Sequence, residues 1–310
     1  MQTYTIRLTG DAVANARVPV SVARELLAAI ETGARGAVRL RLEGRSIAKG
    51  PVPAWLREVS DFDLVSVAHD EPGIRLAAPT LRDALPERFR QTELFAPIDP
   101  EKSALAFLSD SLHDAFDGQR ESDGYDDALL KVFHRAFREV LRQGIERIEL
   151  RNGRSDAPAV VVTERALQTV KALHHSTPAP RPVRLAGWLD AIRYSDRAFT
   201  LRAESGLTVR GVLVEGPPEM LSGHFGRLAL VSGIAHYRPS GSLLRIDAER
   251  IVAGTERDAA VWGAVPTALD ARVERHQLRQ PQGPRSGLAA LIGTWPGEES
   301  DEEIFEALGR

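Results

Sequence analysis

One histidine and five aspartates that could bind a metal or move a proton sit between positions 113 and 127: His113, Asp114, Asp117, Asp123, Asp126 and Asp127. A calcium loop needs the D-x-[DN]-x-[DN]-G spacing, which these aspartates do not follow. The segment is therefore expected to be a solvated connection between two helices. His174 and His175 are the other candidate ligands. Neighbours on a helix diverge by about 100° and do not reach one metal together, so this pair is expected to mark a helix end. No GxxxxGK[ST], post-strand GxGxxG, HExxH or GxSxG motif occurs. Cysteine is absent, which excludes disulfides, a thiolate nucleophile and Cys-ligated zinc or iron–sulfur sites. The expectation is a protein that is not an enzyme and uses neither metal nor cofactor.

The richest local signal is GLAALIGTWPGEESDEEIFEALGR, at 287–310. Leu288, Leu291 and Ile292 form an apolar patch, and Trp295 follows ahead of a Pro-Gly turn. Ser300 and Glu303 have the spacing of a capping box. Asp301, Glu302 and Glu303 fall in the first turn, where the helix dipole favours negative charge. Ile304, Phe305 and Leu308 supply an apolar face, and Gly309 can end the helix. So short a helix is unstable alone in water and must dock, on its own chain or on a partner. The Pro- and Gly-rich stretch 280–287 before it reads as a linker. In the partner reading Trp295 and Phe305 are buried anchors, with the acids as a rim.

The run Trp295-Pro296-Gly297-Glu298-Glu299-Ser300-Asp301-Glu302-Glu303-Ile304 resembles the W-x-G-[DE]-E-[ST]-D-E-E-[IL] segment that ends many bacterial proteins paired with PIN-domain toxins. The resemblance covers about residues 288–310. It implies an antitoxin-like role, in which the segment wraps a ribonuclease and blocks an acidic, metal-dependent site. The partner-binding residues would be Leu288, Leu291, Ile292, Trp295, Ile304, Phe305, Leu308 and Arg310. Because such a site is itself a carboxylate cluster, the acids at 298–303 are not expected to lie over it. The Trp295 and Ile304/Phe305/Leu308 face would take a hydrophobic groove, while Arg310 or Arg285 approaches the acidic pocket.

The alternative partner is nucleic acid, with the tail packed on its own body. Residues 183–254 read as five short strands, parted mostly by Gly- or Pro-bearing turns, in the manner of a small antiparallel, OB-like barrel. Arg210 and Arg238 would face the ligand there and Tyr237 would stack on a base. The plainer account makes all three the wet faces of half-buried strands. A net charge of −3, from 40 basic and 43 acidic residues, excludes nucleic-acid binding by bulk charge. Self-association is left open.

The elements that must position these residues follow from periodicity. Tyr4, Ile6 and Leu8 alternate as in a strand. Val22, Leu26, Leu27 and Ile30 have helical spacing, with Gly33 as a stop. Val38, Leu40 and Leu42 alternate with Arg39, Arg41 and Glu43, which predicts a half-buried strand over 36–44. Short strands are expected at 62–68, 73–79, 145–151 and 159–163, and helices on either side of the polar connection near 117–124 and at 164–174. Three prolines at 178, 180 and 182 make a stiff, extended stretch. The fold class is α+β: a mixed α+β domain at 1–175, a Pro-rich linker at 176–184, a barrel domain at 185–265, and a linker with a partner-binding tail ending in a short helix at 266–310. The start lacks a secretory pattern and no apolar run reaches membrane-spanning length, so a soluble, cytoplasmic protein is expected.

Overall fold

The computed structural model describes residues 1–14, 17–67, 72–89, 98–153 and 158–268, which belong to one compact unit. Strand β1 (Gln2–Thr9) buries Tyr4, Ile6 and Leu8 on one face, as their alternation requires. Helix α1 (Val20–Glu43) then runs through the region where a helix stop and a strand were expected. The physical reason lies in its neighbours. A Cβ on Gly33 would come within 2.9 Å of Leu108 Cδ1, and one on Gly36 within 2.6 Å of Leu129 Cδ1. These glycines let two other helices approach closely; they do not end this one. Its second half is buried on several sides, so Val38, Leu40 and Leu42 are all covered without any strand. The stop comes at Gly44, whose φ of 74° suits a left-handed cap.

The chain continues through α2 (Ala54–Val59), β2 (Asp63–Val67), β3 (Gly73–Ala78) and the single turn α3 (Leu81–Ala84). Next come α4 (Ala104–Phe116) and α5 (Asp127–Leu141), then β4 (Arg147–Asn152), β5 (Val160–Val162) and α6 (Glu164–Ser176). Ser103, Asp126 and Thr163 cap α4, α5 and α6 by accepting from the first-turn amides of Ala106, Leu129 and Ala166. The five strands pair in the order β2-β3-β1-β4-β5, antiparallel throughout. Helices α1, α4, α5 and α6 pack on one another. They share a single core with the inward face of the sheet.

A second core belongs to a closed five-stranded barrel. Its strands are β6 (Arg181–Arg193), β7 (Ala198–Arg202) and β8 (Thr208–Leu213), then, after the turn α7 (Glu219–Ser222), β9 (Leu228–Tyr237) and β10 (Leu243–Ala253). Helix α8 (Glu256–Trp262) follows and packs on β6. The order β10-β8-β7-β6-β9 closes because β9 pairs with both β6 and β10. Four pairings are antiparallel, as the OB-like reading expected, and the β8–β10 pairing is parallel. The Pro-rich stretch enters β6 directly. Pro182 pairs with Ile234 of β9, while pairing with β7 starts only at Trp188, so its missing N–H falls on an unpaired edge. No helix among the described residues is long and apolar enough to cross a membrane. The short helix expected at the end of the tail lies outside the described residues.

Candidate functional site

The helical layer meets the barrel through the connection between α4 and α5. This is the acidic stretch expected to be solvated, and the structure corrects that expectation. Asp126 is only 5% exposed. As N-cap of α5 it accepts the Leu129 amide at 3.0 Å. It also accepts the Ser46 amide at 3.1 Å, the Ser46 hydroxyl at 2.5 Å, and Arg245 Nη1 of β10 at 3.1 Å. These donors satisfy the buried carboxylate oxygens in place of a bulk-water shell. Arg245 in turn donates from Nε to Asp247 Oδ1 at 2.8 Å, and His236 Nε2 lies 3.1 Å from Asp247 Oδ2. Burial raises the Asp247 carboxyl. The His236 hydrogen bond and the Arg245 charge outweigh that effect and hold it at about 2.

Upstream, the same connection grips the turn between β9 and β10. Arg120 donates to the Pro239 carbonyl at 2.6 Å, and the Ser242 hydroxyl donates to Glu121 at 2.7 Å. The Glu121 carboxyl is held below its ordinary range, first by hydrogen bonding from Ser240 and then by Ser242. The loop is itself braced: Tyr125 donates to the Gln119 carbonyl at 2.5 Å, and Ser111 to that of Gly124 at 2.6 Å. Burial, with Asp114 nearby, pushes the Tyr125 phenol up.

The three residues proposed for nucleic acid all belong to this junction. Tyr237 is 2% exposed, and its hydroxyl accepts from Arg181 Nε at 2.9 Å. Its ring therefore offers no open stacking face, which corrects the base-stacking expectation. Arg238 donates to Asp123, to the Leu243 carbonyl and to Ser242. Arg210 is 72% exposed and donates from Nη1 to Asp123 Oδ2 at 3.0 Å. Leu288, Leu291, Ile292, Trp295, Ile304, Phe305, Leu308 and Arg310 lie outside the described residues.

The remaining acids do not converge. Asp114 accepts the Ser122 hydroxyl, Asp117 caps the end of α4, and His113 Nε2 lies 3.1 Å from the Pro158 carbonyl. Asp127 meets His174 Nδ1 at 2.5 Å and Lys131 at 2.9 Å. His174 and His175 stand in the last turn of α6, at the expected helix end, and their rings meet edge-on. No group of three metal-ligating side chains occurs among the described residues. Around Arg245 a cavity of about 740 Å³ separates the layers, lined by Arg45, Lys49, Pro180, Glu215 and His236 among others. Sequence reasoning missed Ser46, His236, Arg245 and Asp247. Only Asp126 carried a local signal, as a carboxylate just ahead of an apolar helical run.

No protein-family model, curated protein or solved structure matches this chain.

Proposed function

We propose that this chain is a partner-binding protein of the antitoxin type, and that residues 288–310 hold and inhibit a PIN-domain ribonuclease. The observation that carries this reading is the ordered run from Trp295 to Ile304, where an aromatic anchor, a turn, an acidic capping box and an apolar helical face follow one another. In this reading Trp295 and the Ile304/Phe305/Leu308 face enter a hydrophobic groove of the ribonuclease. Arg310 approaches its acidic pocket, and the acids at 298–303 stay on the solvated rim.

The compact unit supports the reading indirectly. Its junction arginines Arg238 and Arg245 already pair with carboxylates of the same chain, and Tyr237 is covered. The version of the nucleic-acid alternative that rests on Tyr237 and Arg238 thereby loses its stacking ring and most of its uncommitted charge. The test is capture from the native host by the full chain and by residues 1–287, with bound proteins identified by mass spectrometry. The account expects a PIN-domain protein on the full chain alone. An identical catch from both would overturn it, and an Arg310→Ala protein that inhibits at full strength would remove Arg310 from the contact.

A further inference from the structure

Arg245 also borders a second cavity, of about 520 Å³, on the barrel side of α1. One wall is the end of α1 at Arg41 and Leu42; the other is the β6–β8 face at Ile192, Thr200 and Arg210. Among the described residues its acids are Asp123 and Asp196, and each is shared between guanidinium groups. Asp123 accepts Arg210 at 3.0 Å and Arg238 at 2.5 Å. Asp196 lies 3.0 Å from Arg193 and 3.9 Å from Arg88. Positive charge is therefore in surplus around the cleft.

Arg41 sharpens that surplus. Its Nε is buried with no hydrogen-bond partner among the described residues. Its Nη2 lies 3.3 Å from where a Cβ on Gly124 would stand, so the guanidinium flanks the residue next to Asp123, to which Arg210 reaches from the barrel. Asp114, near the end of α4, borders Gly124 as well, but it accepts the Ser122 hydroxyl, and among the described residues no ion pair joins it to Arg41. The Nε–H of Arg41 is sealed from the cleft, so a ligand would meet the guanidinium through its terminal nitrogens, as an oxyanion does.

We propose that this cleft binds a small sugar phosphate, with the phosphate bridging Arg41 and Arg210. Two guanidiniums arriving from different elements suit a dianion with several terminal oxygens better than a carboxylate, which offers one bidentate edge. The rest of the ligand lies along Thr200, whose hydroxyl can pair with a sugar, and the aliphatic surface of Ile192. A nucleobase is not called for. Among the described residues the one aromatic ring lining the cleft, Phe199, is turned across Gly211, where a Cβ would fall 2.1 Å from its Cζ, and is buried in the barrel core. The volume lies within the range of small-molecule sites, which favour boundaries between packed layers.

The test is isothermal titration of the full chain in phosphate-free buffer with ribose 5-phosphate, inorganic phosphate and ribose. Ribose 5-phosphate should saturate one site, phosphate should compete for it more weakly, and ribose should not bind. Arg41→Met and Arg210→Met should each weaken ribose 5-phosphate by about tenfold or more, the loss of one charge-assisted contact. Arg202→Met, outside the cleft on β7, should leave it unchanged. Thermal unfolding without ligand checks each variant. If Arg41→Met fails to fold, Arg210→Met, altered at an exposed side chain, decides the matter. The proposal is overturned if ribose 5-phosphate does not saturate by about 10 mM. It is equally overturned if a folded Arg41→Met or Arg210→Met binds as tightly as the parent.

Discussion

Asp123 and Asp126 stand on the same turn and each meets an arginine from the barrel, yet the two contacts differ in kind. Asp126 and Arg245 have side chains 4% and 7% exposed, and Ser46, the α5 amide and Asp247 complete their bonding. Asp123 is 35% exposed and faces one covered arginine, Arg238, and one open one, Arg210. One end of the junction is a sealed lock. The other is a wet contact whose charges remain available to a ligand. Burial, more than the identity of the ion pair, decides which end holds the layers together and which can take on another task.

The largest expected effect comes from breaking the sealed end. Asp126→Ala removes a helix cap and leaves Arg245 buried with only Asp247 beside it. It should cost about 3–5 kcal/mol in denaturant unfolding. A loss below about 1 kcal/mol would mean that the lock carries no more than a surface pair.

Acid should act next. The Asp247 carboxyl is held at about 2 in the folded chain, against 3.8 ordinarily. A depressed carboxylate contributes stability that is full above its unfolded value and lost as pH falls through its folded one. The contribution, about 2 kcal/mol, should therefore be intact at pH 5 and vanish between about pH 4 and 2. Unfolding free energies of the parent and of Asp247→Asn across that window should converge at its acid end. A difference that stays constant with pH would contradict the assignment.

The smallest effect belongs to the wet end. Asp123→Ala should cost about 1 kcal/mol or less, and salt should reduce that further. A cost matching that of Asp126→Ala would erase the distinction between the two ends.

These contacts mark where the sequence could and could not be read. Strand β1, helices α4, α5 and α6 and the barrel strands announce themselves through local periodicity, because each has one covered face and one open one. Helix α1 does not. Its C-terminal half is covered on several sides, so Val38, Leu40 and Leu42 alternate with charged residues as a strand's would. Nothing local tells Gly33 as a stop from Gly33 as a point of close approach to Leu108. The junction was illegible for another reason: Arg245 meets Asp126 across 119 positions, and Arg238 meets Asp123 across 115. An acidic loop whose arginines lie so far along the chain reads as solvated. The same distance hid the engagement of Tyr237, which as an aromatic beside an arginine looks like a binding pair until its burial is known.

The central claim is that recognition resides in residues 288–310, with the locked layers serving as the body that carries them. The most direct measurement is the inhibition of a purified cognate PIN-domain ribonuclease by the full chain, by residues 1–287, and by the full chain carrying Trp295→Ala, with the unfolding temperature of each recorded. The account predicts strong inhibition by the full chain, none by 1–287 and weakened inhibition by Trp295→Ala, all three unfolding at the same temperature. Equal inhibition by the full chain and by 1–287 would contradict it, and would place recognition in the compact unit instead.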